Sequence, residues 1–361
     1  MTTFSEARAI KAPFPWFGGK SAIADAVWKR FGTVKNYVEP FFGSGAVLLK
    51  RPDWRPGVRL TATVNDADGL LSNFWRALKA DPEGVAEAAD WPVNEADLHA
   101  RHLWLVGQRE ALTERLMGDP EWFDVKAAGW WVWGASCWIG SGWCSGKGPW
   151  VVSDGRMVRR DDDSAEGISR QTPRLTGEQG VHRKMPEVDH SRGVHTSSVS
   201  AILRPVAERL RHVKVACGDW ARVSGRSSTG QTGNLRDCAV FLDPPYDEGV
   251  GYTGGGGVSA DVWAWACGQG DNPLLRIAVC GYEDGREVPP GWRMLAWDAN
   301  ARQRGGGYGN QADDGEGRAN ARRERVWFSP ACIPCEGDID CATGEPVRVA
   351  GGQTDLFEAL A

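Results

Sequence analysis

Residues 34–47 read VKNYVEPFFGSGAV, and this stretch constrains the fold more than any other. A short apolar strand, NYVEPF, runs into a turn of Gly43, Ser44 and Gly45 and then into an apolar helix start, AVLLK. Such a strand–glycine turn–helix unit brings backbone N–H groups close to a nucleoside ligand, because glycine has no Cβ to hold it away. VRLTATV at 58–64 alternates and is β-branched, which predicts a second strand. It ends at Asn65 and Asp66, about 20 residues beyond the glycines, where a dinucleotide-type fold places an acid on a ribose hydroxyl. LLSNFWRALKA then continues as a helix, so Asp66 is also placed to cap it.

The same rhythm resumes late in the chain. ILRPVAERL predicts a helix, VKVACGD (213–219) a strand ending at Asp219, and CAVFLDPPY another strand. SADVWAWAC is helical, LLRIAVCGY (274–282) is a strand, and RRERVWFSP (322–330) closes the folded part. Polar or glycine residues end the strands near 38–42, 64–66, 217–219 and 242–246, so they converge on the ligand edge of an open α/β sheet. The predicted architecture is a Rossmann-like, doubly wound α/β core from residues 1–75 and 201–330, with 331–361 as a C-terminal tail. Residues 76–200 interrupt it as an inserted, mainly helical and loop subdomain. NEADLHARHLWLVGQREALTERL (94–116) reads there as an amphipathic helix, seven tryptophans follow between Trp122 and Trp150, and 151–200 is polar and loop-like.

Composition excludes little. With 42% hydrophobic and 25% charged residues the chain of 361 can build a sizeable core, and no run approaches a membrane span. The N-terminus lacks a secretory apolar core and the nine cysteines read as reduced thiols, so a cytoplasmic protein is expected. The net charge of −5 does not advertise a nucleic-acid binder, but binding needs only local positive charge. Residues 156–214 carry twelve Lys or Arg against eight Asp or Glu, and six arginines lie between Arg302 and Arg325. Either cluster alone reads as solvated surface.

FLDPPYDEGVGYTG at 241–254 puts a stiff polar turn at the end of a buried strand. Asp243 then sits at the ligand edge. Pro244 and Pro245 fix φ and lack N–H donors, so the turn presents carbonyl oxygens in a rigid frame, and Tyr246 adds an aromatic face. Two acceptors and a platform suit an exocyclic amino group on a planar base. Holding both its hydrogens turns the nitrogen lone pair toward an electrophile, leaving catalysis to position and electrostatics. Taken alone, the same residues also make a plain turn after a strand.

Four blocks resemble the D12-type, S-adenosylmethionine-dependent DNA adenine N6-methyltransferases: PWFGGK (15–20), YVEPFFGSGAV (37–47), VNDADGLLSNFW (64–75) and FLDPPY (241–246), in family order. GYEDG (281–285) and RERVWFSP (323–330) fit the family's closing strands more loosely. The resemblance implies S-adenosylmethionine as cofactor, S-adenosylhomocysteine as product and no metal. It implies that Trp16 and Lys20 lie at the methionine part, with Lys20 near its carboxylate, and that Gly19 is also a cofactor-binding residue. Glu39, Pro40, Phe41, Gly43 and Gly45 would form the cofactor loop, Asp66 would hold the ribose, and Asp219 would approach the adenine. Asp243, Pro244, Pro245 and Tyr246 would grip a base flipped out of duplex DNA, with Asp243 also reaching the cofactor.

In the family the insertion reads DNA sequence. Lys147, Arg183 and Lys184 are the expected phosphate contacts, and glycine-rich 247–257 would close over the base. The tryptophan cluster departs from the family. It reads first as a compact core, and otherwise as a source of wedges such as Trp143 or Trp150. Asp rather than Ser before Pro-Pro-Tyr favours adenine over N4-cytosine. A non-catalytic, replication-associated DNA-binding module is the alternative from another class. A monomer in a bacterial cell or bacteriophage-infected host is the expected setting.

Two features fall outside the blocks. Cys332, Cys335 and Cys341 in CIPCEGDIDC contain a C-x-x-C pair, but no fourth zinc ligand accompanies it. The chain ends GGQTDLFEALA, in which QTDLF resembles the peptide that docks on the bacterial sliding clamp. Gln353 would enter one subsite and Leu356 and Phe357 a hydrophobic pocket. An amphipathic tail packing on its own domain is the other reading.

Overall fold

The computed structural model describes residues 10–16, 18–54, 60–138, 143–144, 150–153, 156–159, 199–233, 235–245, 257–296 and 324–349. The first elements are a 3-10 turn at Lys20–Ala22, α1 (Ala24–Phe31), β1 (Asn36–Glu39), α2 (Ala46–Leu49) and β2 (Thr61–Asp66). Four helices follow, α3 (Gly69–Ala80), α4 (Pro82–Ala89), α5 (Glu95–Gly118) and α6 (Val125–Cys137), then a hairpin of β3 (Trp150–Ser153) and β4 (Arg156–Arg159). Next come α7 (Val199–Arg209), β5 (Val213–Cys217), a 3-10 turn at Trp220–Val223 and β6 (Cys238–Leu242). The last are α8 (Val258–Gln269), β7 (Leu275–Tyr282), β8 (Arg293–Ala296), β9 (Glu324–Phe328) and β10 (Ile339–Asp340). The architecture is mixed α/β, and the strands that carry the polar turns pair in parallel. Among the described residues, no helix is long and apolar enough to cross a membrane.

These residues fall into two units. One takes in the described residues of Met1–Ser21 and Pro40–Ser224, the other those of Ala22–Glu39, Gly225–Val250 and Gly254–Ala361.

In the first unit, β2 pairs in parallel with β5, Val64 opposite Val215 and Asp66 opposite Cys217. Each of its helices α3 to α6 begins at a side-chain cap. Asp68, Asp81, Asn94 and Asp124 accept N–H groups of the first turn, which would otherwise lack partners. α3 buries Leu70, Leu71, Phe74, Trp75 and Leu78. The helices of the predicted insertion pack directly on it: α6 lies against α3 and α4, and α5 lies against α3 and α6. Glycines permit the closest approaches. A Cβ on Gly129 would lie 2.4 Å from the Ala88 methyl, and one on Gly134 would lie 1.8 Å from the Trp143 ring.

Part of the tryptophan cluster belongs to this unit's core. Trp131 and Trp133 are buried, and the Trp131 ring meets Phe14 at 4.9 Å and Phe74 at 5.6 Å. Trp143 fills the notch at Gly134 and donates Nε1–H to the Trp131 carbonyl at 3.0 Å. Its ring is therefore committed within the protein rather than set out as a wedge.

In the second unit the strand order is β10-β8-β9-β7-β6-β1. β1, β6 and β7 are parallel, and the remaining pairings are antiparallel. All five residues of β6 are buried, as expected of a parallel strand covered on both faces. The fold does not close at residue 330, where the sequence suggested an end. The Arg30 Nε donates to Asp338 Oδ1 at 2.7 Å, Asp338 has no exposed surface, and the Ile333 N–H donates to the Arg30 carbonyl at 2.8 Å. Arg30 also lies over the Phe328 ring at 5.0 Å. Short turns rich in cysteine, proline and glycine gave no periodic signal for this segment.

The tail cysteines have separate partners. The Cys332 thiol faces the Ile277 carbonyl at 3.5 Å, and the Cys335 thiol faces the Ile333 carbonyl at 3.7 Å. Burial pushes the Cys332 pKa up to about 12 and that of Cys341 up to about 11. Among the described residues, no three or more His, Cys, Asp or Glu side chains are grouped to hold a metal ion.

Removing one partner of a buried ion pair leaves the other charge uncompensated. Asp338→Ala should therefore cost about 3–5 kcal/mol of folding stability. Urea unfolding followed by fluorescence checks this, and a loss below about 1 kcal/mol would mean that residues 331–349 do not anchor the unit.

Candidate functional site

The glycine turn of the first unit is shaped by two left-handed residues, Gly43 (φ +49°) and Gly45 (φ +68°). A Cβ on Gly43 would lie 2.7 Å from the Trp16 Nε1, so the indole lies directly on the turn. The Gly19 N–H donates to the Trp16 carbonyl at 3.1 Å, and Trp75 Nε1–H donates to the Gly43 carbonyl at 3.0 Å. Lys20 is buried and its Nζ donates to the Gly18 carbonyl at 2.8 Å. Trp16 and Gly19 thus form one cluster with Gly43, more than twenty residues further along the chain. In the second unit, Glu39 at the end of β1 is buried and accepts the Tyr37 hydroxyl at 2.8 Å.

Asp66 closes the turn from below. Its Oδ2 accepts the Gly43 N–H at 3.0 Å and its Oδ1 accepts the Asp68 N–H at 3.0 Å. Although the residue keeps some accessible surface, burial of the carboxylate pushes its pKa up to about 6, with a smaller upward push from Asp68 and an opposing one from the backbone donors. Asp66 does not cap the following helix. Asp68 does, accepting the Leu70 N–H at 2.9 Å, which leaves Asp66 turned to the glycines.

Three residues beyond the predicted set complete the cluster. Asn65, 1% exposed, donates through Nδ2 to the Pro40 carbonyl at 3.1 Å and to the Gly218 carbonyl at 2.9 Å. It ties the loop at Pro40 to the one at Gly218, while its Oδ1 is buried without a partner. Gly218 (φ +123°) donates its N–H to the Asp66 carbonyl at 3.0 Å. Asp219 is exposed and caps the short turn after β5, accepting the Ala221 N–H at 2.9 Å. The next residue, Trp220, stacks with Phe41 at 6.3 Å and an interplanar angle of 27°. The signal for Trp220 was its place directly after Gly-Asp. Asn65 carried only its adjacency to Asp66.

In the second unit, β6 ends at Leu242, opposite Val279 of β7. Asp243 follows at once and is half-buried, Pro244 is buried, and Pro245 is half-buried. The carboxylate thus stands at the carboxyl end of a buried parallel strand, as the sequence predicted. GYEDG runs off the end of β7, and just after it Arg286 pairs with Asp284 at 2.6 Å and lies over the rings of Trp263 (5.0 Å) and Trp327 (4.9 Å). Tyr246, Lys147, Arg183, Lys184, Gln353, Leu356 and Phe357 lie outside the described residues, as do 247–256. The side chain of Trp150 does too.

Residues 16–101 match the family described as D12 class N6 adenine-specific DNA methyltransferase. They include Trp16, the glycine turn, Asn65 and Asp66. Proteins named "DNA adenine methylase" from two strains of Vibrio cholerae serotype O1 are each 33% identical over 86 residues, 24% of this chain. The match spans 29% of the length of those relatives. Over this segment the resemblance to the D12-type family is borne out.

The raised pKa of Asp66 has a consequence for stability. Ionising this carboxyl costs more in the folded chain than in the unfolded one, so its contribution is most favourable below the ordinary carboxylate pKa and is lost as pH rises toward about 6. In the ligand-free protein, the stability difference between Asp66→Asn and the wild type should therefore move in the variant's favour between about pH 4 and pH 6. Thermal melts across that range check it. A difference independent of pH would show that Asp66 titrates normally.

Proposed function

We propose that this protein is a site-specific DNA methyltransferase that moves a methyl group from S-adenosylmethionine to N6 of adenine in double-stranded DNA. The observation that carries this reading is the Asp66–Gly43 contact, which joins an acid at a strand end to a left-handed glycine turn beneath Trp16. The family match over residues 16–101 supports it.

The residues present fit the methyl donor. A carboxylate only accepts hydrogen bonds, so Asp66 can take the hydroxyls of a ribose. The glycines admit a ligand close to the backbone, and Phe41 and Trp220 offer flat apolar surface for an adenine ring, with Asp219 beside them. Trp16, Gly19 and Lys20 would hold the methionine part, and Glu39, Pro40 and Gly45 would shape the loop. When bound, S-adenosylmethionine supplies an electrophilic methyl group.

The rest belongs to Asp243, Pro244, Pro245 and Tyr246. Asp243 and a proline carbonyl accept the two hydrogens of the adenine amino group, and the Tyr246 ring stacks on the base, which is flipped out of the duplex. Holding both N–H bonds would free the nitrogen lone pair to attack the methyl carbon directly, with no covalent enzyme intermediate. The N–C bond would form as the carbon–sulfur bond breaks, leaving S-adenosylhomocysteine, and Asp243 would stabilise the positive charge that grows on the nitrogen and take up the amino proton that is released. Residues 76–200 would read the target sequence, with Lys147, Arg183 and Lys184 on phosphates. A monomeric cytoplasmic enzyme completes the reading.

Purified protein with mixed-sequence duplex DNA and labelled donor should yield N6-methyladenine on nucleoside mass analysis. Asp243→Ala should lower the rate by about a thousandfold or more while cofactor binding persists. N4-methylcytosine would instead transfer the reading to that target, and cofactor binding without transfer to any DNA would favour a non-catalytic DNA-binding module.

We further propose that Gln353, Leu356 and Phe357 dock on the bacterial sliding clamp. Clamp should co-purify with the wild type and not with Leu356→Ala/Phe357→Ala. Equal retention by both proteins would remove this partner.

A further inference from the structure

We propose that Arg109, on α5, is a positioning residue for cofactor binding, holding Asp68 and through it the carboxylate of Asp66. The proposal rests on the reading of Asp66 as the ribose ligand.

The geometry is a relay. The Arg109 Nη2 lies 3.4 Å from Asp68 Oδ2, and the Asp68 N–H donates to Asp66 Oδ1 at 3.0 Å. Asp66 Oδ2 in turn holds the Gly43 N–H at 3.0 Å. Asp68 also caps α3 through Oδ1, so its two oxygens are divided between the helix start and Arg109. The approach of α5 to this point is enforced by close packing, since a Cβ on Gly69 at the start of α3 would lie 1.9 Å from the Thr113 Oγ1. Thr113 is fixed to the same turn of α5, donating to the Arg109 carbonyl at 2.7 Å.

Arg109 also reaches the residues after α6. It donates to the Cys144 carbonyl, while the Cys144 N–H meets His102 Nδ1 at 3.5 Å and His102 stacks on Trp138 at 5.1 Å. One side chain of α5 therefore joins the segment after α6 to the cofactor edge.

Electrostatics give the relay a direction. Asp68, on the loop of Asp66, is the charged neighbour that pushes its pKa up. Arg109 from α5 pairs with Asp68, Cys217 lies opposite Asp66 on β5 with Arg76 of α3 acting on that thiol, and exposed Asp219 follows β5. Burial keeps the Cys217 thiol neutral, and Arg76 is directed to the carbonyls of Asp119 and Trp122. Asp68 is thus the near anion and Arg109 its partner. At 24% and 29% side-chain exposure the pair is only partly screened by solvent. Without Arg109, the charge of Asp68 falls undiminished on Asp66 and opposes its ionisation.

The test is calorimetric binding of S-adenosylmethionine between about pH 5 and pH 8, to the full chain and to Arg109→Met, Arg109→Lys and Asp66→Asn. Wild-type affinity should fall as pH drops through about 6. Arg109→Met should bind about fivefold to tenfold more weakly at neutral pH and lose affinity at a higher pH than the wild type. Arg109→Lys should restore the midpoint but not the full affinity, because an ammonium lacks the planar fork. Unchanged binding in Arg109→Met overturns the proposal. So does an equal loss at every pH that lysine does not rescue, which marks a purely structural role. The Asp66→Asn arm separates the two claims: weak, pH-independent binding supports the ribose reading, and wild-type binding sinks that reading and the relay with it.

Discussion

The contact between the Asp66 carboxylate and the Gly43 N–H organises the first unit. It joins the end of β2 to a left-handed glycine turn, and the turn can exist only because neither Gly43 nor Gly45 carries a side chain. Trp16 rests on that turn from one side, and Trp75 holds its carbonyl from another. Asn65, one residue before, repeats the arrangement with the carbonyls of Pro40 and Gly218. A buried carboxylate and a buried amide thus fix the strand-end loops without a regular ladder. The cost is visible in the raised pKa of Asp66 and the unpartnered oxygen of Asn65.

The helices of the predicted insertion bear on the same place. α5 and α6 do not stand apart from the glycine half of the chain but share its core, through Trp131 against Phe14 and Phe74 and through the close approach of Gly69 and Thr113. Tryptophan suits this packing because one side chain covers a large apolar area and its N–H can reach a carbonyl. Trp143 does so with Trp131, and Trp133 with Trp91. The second unit relies on a different device. Its apolar parallel strands are flanked by the buried Arg30–Asp338 pair, which fixes a segment too short and irregular to build a core of its own.

Much of the site was legible in the sequence because its signals are local. The glycine turn, the acid about 20 residues later and Asp243 at the end of an apolar strand each follow from residue type and spacing along one strand. The exchange of capping roles between Asp66 and Asp68 was not legible. Both acids sit before the same helix, and only the backbone path decides which one faces its first turn. Nor was the ordered segment at 331–349, whose main anchor lies 308 residues away in the chain.

The sequence by itself determined the α/β class, the strands that end in polar turns, and the glycines and acids that stand at those strand ends. These depend on periodicity, on φ freedom at glycine and on the rigidity of proline, which act within a few residues. Tertiary structure alone decided that Trp16 lies on Gly43, that Asn65 bridges two loops, and that Arg109 stands beside Asp68. Such contacts arise when distant segments compete for the same buried space and the same backbone hydrogen bonds, and that competition is settled only when the chain closes on itself.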